Sequence, residues 1–278
     1  MDVTILSLIS GMSGAGPRTQ VLACADALRA GGAEVRLTDA VDDAGIDGVV
    51  TESARIVVAA DSDAQVRAVV RRAVRRLAPA PSSRPDDIPD DRTVPDLPPL
   101  AVLPLAQRPE LVDHFGLPRQ PEDVAAAVLG GVVRRTDLLR HDGGGVTVHG
   151  VRIGGGDRPW RGQVALDDTV LSDGEEVLVT MVVANGGGLG EVDGLRLCEP
   201  DPGDGRLDVA VAAPFVHRGV IRRRTRIEVR RGTGRAVAVT PIGSVPYVDD
   251  GTTGELSRKR TWWMERGAAG WYVNRPVD

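Results

Sequence analysis

Two hydrophobic patterns share this chain, and one replaces the other near Arg140. Before that point, apolar runs alternate with stretches of helical spacing. Val3–Ile9 is a β-branched run, and Gln20–Arg29 places Leu22, Ala25 and Leu28 on one helical face. Gly31-Gly32 ends that helix, and Glu34–Thr38 resumes as a strand. Arg55–Ala60 is another strand. Asp61–Leu77 follows as a helix with Val66, Val69, Val70, Ala73 and Leu77 inward and an arginine-rich outer face. Leu100–Leu105 and Glu122–Leu129 repeat the pair. Strand, turn and helix in repetition predict an α/β domain with a parallel sheet covered on its faces. After Arg140 helical spacing almost vanishes. Val146–Ile153, Gln163–Leu166, Val177–Val183, Leu207–Ala212, Arg226–Arg230 and Ala236–Thr240 read as short strands, with one short helical turn near Val216–Arg222. That pattern predicts an all-β antiparallel sandwich. Thr261–Val273 reads as a terminal hairpin over Arg266-Gly267, and Ala78–Pro99, rich in Pro, Asp and Ser, reads as a flexible insertion.

Composition narrows the partners. The formal charge of −5 lies wholly in the first part: to Asp137 there are 20 acids and 15 bases, and after it 19 of each. A mildly acidic chain offers no case for nucleic acid. Lys259 is the one lysine against many arginines, the signature of a high-GC, bacterial-type genome, so lysine is nearly excluded as a phosphate ligand. Cys24 and Cys198 stand far apart with no metal spacing, and His114, His141, His149 and His217 show none either. No basic leader or long apolar run is evident, so the expectation is a cytoplasmic protein without a membrane span. The partner expected is a small-molecule ligand, and a homodimer is compatible with the reading.

The densest local signal is Val182–Val209. A buried-strand run, Val177–Ala184, stops at Asn185-Gly186 and a glycine-rich turn, Gly187–Gly190. Two Asp-Gly turns, Asp193-Gly194 and Asp204-Gly205, flank the alternating Leu195-Arg196-Leu197. With Pro200 and Asp204-Gly205-Arg206-Leu207-Asp208, this stretch resembles the second-domain signature of the diacylglycerol kinase and sphingosine kinase (lipid kinase) family. The order of parts resembles that family from end to end. The resemblance implies a nucleotide-binding-like α/β domain over residues 1–137, completed by about 264–278, and a β-sandwich domain over 138–263. It further implies a ligand cleft between the two.

The same resemblance fails where the family binds ATP. Ser13, Gly14 and Gly16 survive in the first loop, but Ser10-Gly11 replaces the family's Asn-Pro. The family's Gly-Gly-Asp-Gly-Thr becomes Ala59-Ala60-Asp61-Ser62-Asp63, and its third loop becomes Ala106-Gln107-Arg108-Pro109-Glu110. Those glycines let backbone N–H groups approach phosphates. A non-glycine residue at positive φ costs roughly 1–2 kcal/mol, and each lost charge-assisted phosphate bond roughly 1.5–3 kcal/mol. The sum exceeds the roughly 5–8 kcal/mol of a millimolar to micromolar ligand. Asp63 would also repel a triphosphate. Neither ATP nor magnesium is therefore an expected cofactor.

On the acceptor side, Asp250 takes the place of the family's hydroxyl-activating Asp, Thr252 replaces the following Glu, and Glu255 comes after a Thr-Gly extension. Asp250 reads equally as an Asp-Gly hairpin turn. The family's long helical insertion before the sandwich is missing. The leading expectation is a pseudokinase: a lipid-kinase fold repurposed, for example in biosynthesis, for acid–base chemistry on a small apolar or hydroxylated molecule. The catalytic candidates are Asp250, Asp249, Glu255 and Asp61, and the ligand-binding candidates Ser13, Gly14, Gly16, Asp63 and Asn185. Asp204 and Asp208 are candidate ligands for a structural divalent metal, or a plain turn. The arginine-rich Arg218–Arg235 reads as a phosphate site or a solvated face, and Trp262, Trp263, Trp271 and Tyr272 as a ligand wall or core. A non-catalytic lipid-binding regulator and an active ATP-dependent lipid kinase stand as alternatives.

Overall fold

The structure, a computed structural model, describes residues 1–8, 18–105, 109–156, 158–186, 191–192, 195–218 and 223–275. The chain divides into two compact units, one of Met1–Thr136 with Gly267–Asp278 and one of Asp137–Arg266. Among the described residues, no helix is long and apolar enough to cross a membrane.

The first unit alternates as the spacing predicts. Its elements are β1 (Asp2–Leu8), α1 (Arg18–Ala30), β2 (Glu34–Ala40), α2 (Asp43–Glu52), β3 (Ile56–Ala60), α3 (Asp63–Leu77), β4 (Leu100–Pro104), α4 (Glu110–His114) and α5 (Pro121–Gly130). The strands are parallel in the order β2-β1-β3-β4, with Ile5 beside Val57 and Val57 beside Ala101. One sheet face, including Ile5, Val57, Ala59 and Leu103, packs on Cys24, Ala25 and Leu28 of α1 and Val124 and Val128 of α5. Strand alternation turns the buried Leu6, Ile56, Val58 and Val102 to the opposite face. That three-layer arrangement explains why β3 is buried at every position.

Two sequence expectations for this unit need correction, and one helix went unread. The helix α2 was not legible, because Gly45 and Gly48 lower its propensity. It forms because Asp42 caps the Gly45 N–H at 2.9 Å and Ile46, Val49 and Val50 are buried on one face. On α3, Leu77 is exposed rather than inward, and the arginine-rich face is not all open to solvent. Arg72 is buried and holds α2 through Asp47 and Asp43. The segment 78–99 is anchored rather than a bare insertion. Ile88, Val94 and Leu97 are buried, and the Leu97 N–H donates to Ala268 O at 3.0 Å. Three apolar side chains suffice to fix a proline-rich run whose proline φ angles are already restricted.

The second unit is all β. Strand β5 (Val133–His141) leads into it, followed by β6 (Gly145–Thr147), β7 (Gly150–Gly154), β8 (Arg161–Leu166), β9 (Thr169–Asp173) and β10 (Thr180–Ala184). Then come β11 (Glu191–Val192), β12 (Leu195–Arg196), β13 (Leu207–Arg218), β14 (Arg223–Gly234), β15 (Ala236–Ile242), β16 (Val245–Asp249), β17 (Thr252–Leu256) and β18 (Arg260–Tyr272). One antiparallel sheet runs β14-β13-β10-β7-β16-β17. Against it, β15 pairs with both β8 and the first part of β18, and β8 with β9. Their inner faces share one core that includes Ile153, Met181, Val183, Val209, Val237, Val239 and Trp262. Central β10 is buried on both faces. Met181 and Val183 enter that core, while Val182 and Ala184 pack on Leu197, Cys198, Ala210 and Ala212.

Two expectations fail here as well. The predicted helical turn beginning at Val216 is strand through Arg218, with 219–222 outside the described residues. The terminal hairpin over Arg266-Gly267 is instead one 13-residue strand, β18. Gly267 stays inside it with φ +59°, a kink that only glycine adopts without strain. Residues Gly267 onward belong to the first unit, where Trp271 pairs in parallel with Leu100 of β4.

Candidate functional site

The apolar run from Val146 to Ile153 is interrupted at Val148-His149, and this break is buried beside several polar side chains. Two remote segments clamp it. On one side the hairpin β16–β17 turns through Asp250-Gly251, both at positive φ (+45° and +77°), as a two-residue type I′ loop requires. The Asp250 carboxylate is 3 % exposed and accepts three backbone N–H groups: Val148 at 2.6 Å, His149 at 2.9 Å and Gly150 at 3.0 Å. The Asp250 N–H donates to Gly150 O at 3.1 Å. Asp249, also buried, accepts the Thr147 hydroxyl at 2.8 Å and lies 4.0 Å from His141 Nε2.

On the other side stands Asn185, fully buried at the end of β10. Its Nδ2 donates to Asp137 O at 2.7 Å and Val148 O at 2.9 Å. The backbone N–H groups of Asn185 and Gly186 both donate to His149 O, at 2.9 and 3.0 Å. Asn185 Oδ1 is buried with no hydrogen-bond partner among the described residues. A buried acceptor of that kind is rare and calls for an explanation. The clamp thus joins Asn185, Asp249 and Asp250 on the strand ends around Thr147–Gly150. Thr147, His141 and His149 enter with them, and sequence spacing had no means of finding these three. Their partners lie about a hundred residues further along the chain, and the only local hint was the glycines flanking a β-branched run.

Glu255 is elsewhere. It is exposed on β17 opposite Pro246, three register positions from the Asp249–Thr252 pair, and accepts the Ser244 hydroxyl. At about 3.3 Å per residue, that is on the order of 10 Å along the strand. Asp204 is exposed and accepts the Arg206 N–H at 2.8 Å, an Asx-type turn. Gly205 N–H donates to the buried Asp137 carboxylate at 2.6 Å. Asp208 is half-buried, and burial, reinforced by the Asp204 charge and opposed by Arg206, pushes its carboxyl above the usual carboxylate range. Among the described residues, no third carboxylate, His or Cys donor gathers with Asp204 and Asp208.

The first unit holds the remaining candidates. Strand β3 ends at Ala60, and its turn into α3 carries Asp61, Ser62 and Asp63. The Asp61 N–H donates to Gln65 Oε1 at 2.7 Å, and Gln65 Nε2 reaches Leu8 O at 3.5 Å. Asp63 is 8 % exposed and accepts the Leu111 N–H of α4 at 3.1 Å. The Asp61 N–H of this turn is therefore taken by Gln65, and Asp63 is tied to α4. Ser13, Gly14 and Gly16, the third-loop residues Ala106–Arg108, and Gly187–Gly190 with Asp193-Gly194 lie outside the described residues. The aromatic residues divide by unit. Trp262 belongs to the sandwich core, and Trp271 packs on Phe115 at 5.8 Å and donates to the Thr136 hydroxyl at 2.8 Å.

Comparison with known proteins returns no matching family model and no matching curated protein. Solved structures do match over the whole chain. A diacylglycerol kinase from Bacillus anthracis str. Sterne superposes with a TM-score of 0.69 at 14 % identity, covering 99 % of this chain and 98 % of its own. An NAD kinase from Archaeoglobus fulgidus, solved in complex with ATP, superposes with a TM-score of 0.57 at 13 % identity, covering 99 % and 94 %. Identity this low carries the fold and not the activity. The α/β unit with its parallel sheet and the antiparallel sandwich together give this chain the diacylglycerol kinase-like fold, to which NAD kinase is also similar.

Proposed function

We propose that this chain uses a diacylglycerol kinase-like fold without ATP-dependent phosphoryl transfer, and that it binds a small apolar or hydroxylated molecule. The observation that carries this reading is the turn after β3. Asp63 places a buried carboxylate there and takes the Leu111 N–H, while Gln65 takes the Asp61 N–H. Phosphate recognition needs such N–H groups open and no fixed negative charge beside them. The buried Asn185 Oδ1 supports a hydroxylated ligand, because a hydroxyl would supply the donor it lacks among the described residues. Acid–base chemistry, where it occurs, falls to Asp249, whose carboxylate stands beside His141 and Thr147.

A second reading, a non-catalytic lipid-binding or regulatory relative, is favoured by one observation. Asp250 spends its carboxylate on three backbone N–H groups, which suits a structural clamp better than a proton acceptor. The test is incubation of the full chain with radiolabelled ATP, magnesium and a mixed diacylglycerol and sphingoid-base vesicle. The expected result is no transfer and no MgATP-dependent rise in Tm at millimolar concentration. MgATP-dependent transfer by the purified chain would overturn the proposal. With a ligand in hand, Asp249→Asn separates the two readings: lost turnover with retained binding marks the catalytic one.

A further inference from the structure

A second place in the sandwich unit has the chemistry of an anion site. The turn after β5, at Asp142 and Gly143, and the segment Glu255–Arg260 line a cavity of about 390 Å³. That volume is in the range of small-molecule pockets. Three positive side chains border it, Arg258, Lys259 and Arg260, and Lys259 is the only lysine of the chain. Arg258 and Lys259 are exposed at the rim, whereas Arg260 is half-buried.

Arg260 is held rather than loose. Its guanidinium carbon lies 5.1 Å from the Tyr247 ring centroid and 5.7 Å from that of Trp262. Two aromatic rings fix the plane of a guanidinium and leave its edge as a rigid fork of donors. Arg260 Nη1 is buried with no hydrogen-bond partner among the described residues. The two acids of the lining each accept a hydrogen bond, Asp142 from the Thr261 N–H at 3.0 Å and Glu255 from the Ser244 hydroxyl, and the three cations outnumber them. An oxyanion in the cavity would meet the cationic side chains that line it with charge-assisted bonds.

We propose that this cavity binds the oxyanion group of a small polar molecule, a phosphate or a carboxylate, with Arg260 as its anchor and Arg258 and Lys259 at its rim. The cavity lining shares no residue with the Asn185–Asp250 clamp, and the proposal does not rest on the absence of kinase activity. The experiment is calorimetric titration of the full chain with inorganic phosphate and, separately, with succinate, each against sodium chloride at equal ionic strength. One saturable equivalent is expected for one of the two, which identifies the source as phosphate or carboxylate. Arg260→Lys, which keeps the charge and loses the fork, should weaken it about tenfold or more. Should that variant fold poorly, the exposed double variant Arg258→Gln/Lys259→Gln should still weaken it severalfold, roughly as two rim charges do. Heats no larger than those of chloride, or binding that the well-folded variants leave unchanged, would overturn the proposal.

Discussion

The carboxylate of Asp250 receives the backbone N–H of His149 at 2.9 Å, although the two residues are 101 positions apart. This bond and its two neighbours define a loop that has no regular strand partner of its own. Asp250→Asn keeps the left-handed turn, since asparagine tolerates positive φ, but replaces one acceptor oxygen with a donor. We expect a loss of about 2–3 kcal/mol, the value of a charge-assisted bond. Asp250→Ala adds turn strain of roughly 1–2 kcal/mol and should be worse. Urea midpoints at constant slope measure both. A change below about 0.5 kcal/mol, the scale of an ordinary surface substitution, would remove the structural role.

Gly267 isolates a backbone effect. An added Cβ would meet nothing closer than Arg135 Cβ at 3.9 Å, so Gly267→Ala tests the φ of +59° without a steric clash. The expected cost is about 1–2 kcal/mol. It should appear as a lower Tm with unchanged far-ultraviolet circular dichroism.

Asp208 gives a pH signature. Its native carboxyl pKa is raised, first by burial and then by Asp204, so the native state binds protons more tightly than the unfolded chain. The Asp208 contribution to stability therefore falls as pH climbs from the ordinary carboxylate range through the raised native value. Asp208→Asn should flatten this limb and gain on the parent protein at pH 7 relative to pH 4. Urea unfolding at several pH values reads it. A divalent cation bound by Asp208 and Asp204 would reverse the sign at neutral pH, and adding magnesium or calcium distinguishes that case.

Burial pushes the thiols of Cys24 and Cys198 up to about 12. At pH 8 that leaves about one part in ten thousand as thiolate. Neither should react with a disulfide reagent in the native protein within the time that both react in denaturant. Rapid native labelling of one thiol would indicate local opening of α1 or of the segment around Leu197.

The parts legible in the sequence are those set by short-range periodicity. The parallel sheet followed from β-branched runs at strand spacing, and β10 from a continuous apolar run whose alternate residues turned out to enter two different cores. Asp250-Gly251 was legible as a turn because the type I′ loop demands those residues. The misreadings have physical causes. Arg266-Gly267 looks like the same signal, yet one positive-φ glycine inside β18 bends a strand without reversing it. The strand read across Val146–Ile153 is two strands, because what interrupts it comes from Asn185 and Asp250 and leaves no mark on the local pattern. Asp61 and Asp63 were legible as departures from a glycine loop, but their partners, Gln65 and the Leu111 N–H, were not.

The division of β18 sets an order of events at the ribosome. The first 136 residues emerge with four parallel strands, but the last neighbour of β4 arrives only after the whole sandwich unit has been made. Until Trp271 is translated, Phe115 lacks its ring contact and the Thr136 hydroxyl lacks its indole donor. The sandwich unit, continuous in sequence, can close first. A released chain truncated after Arg266 should therefore carry a protease-resistant second half attached to a first half still exposing a sheet edge.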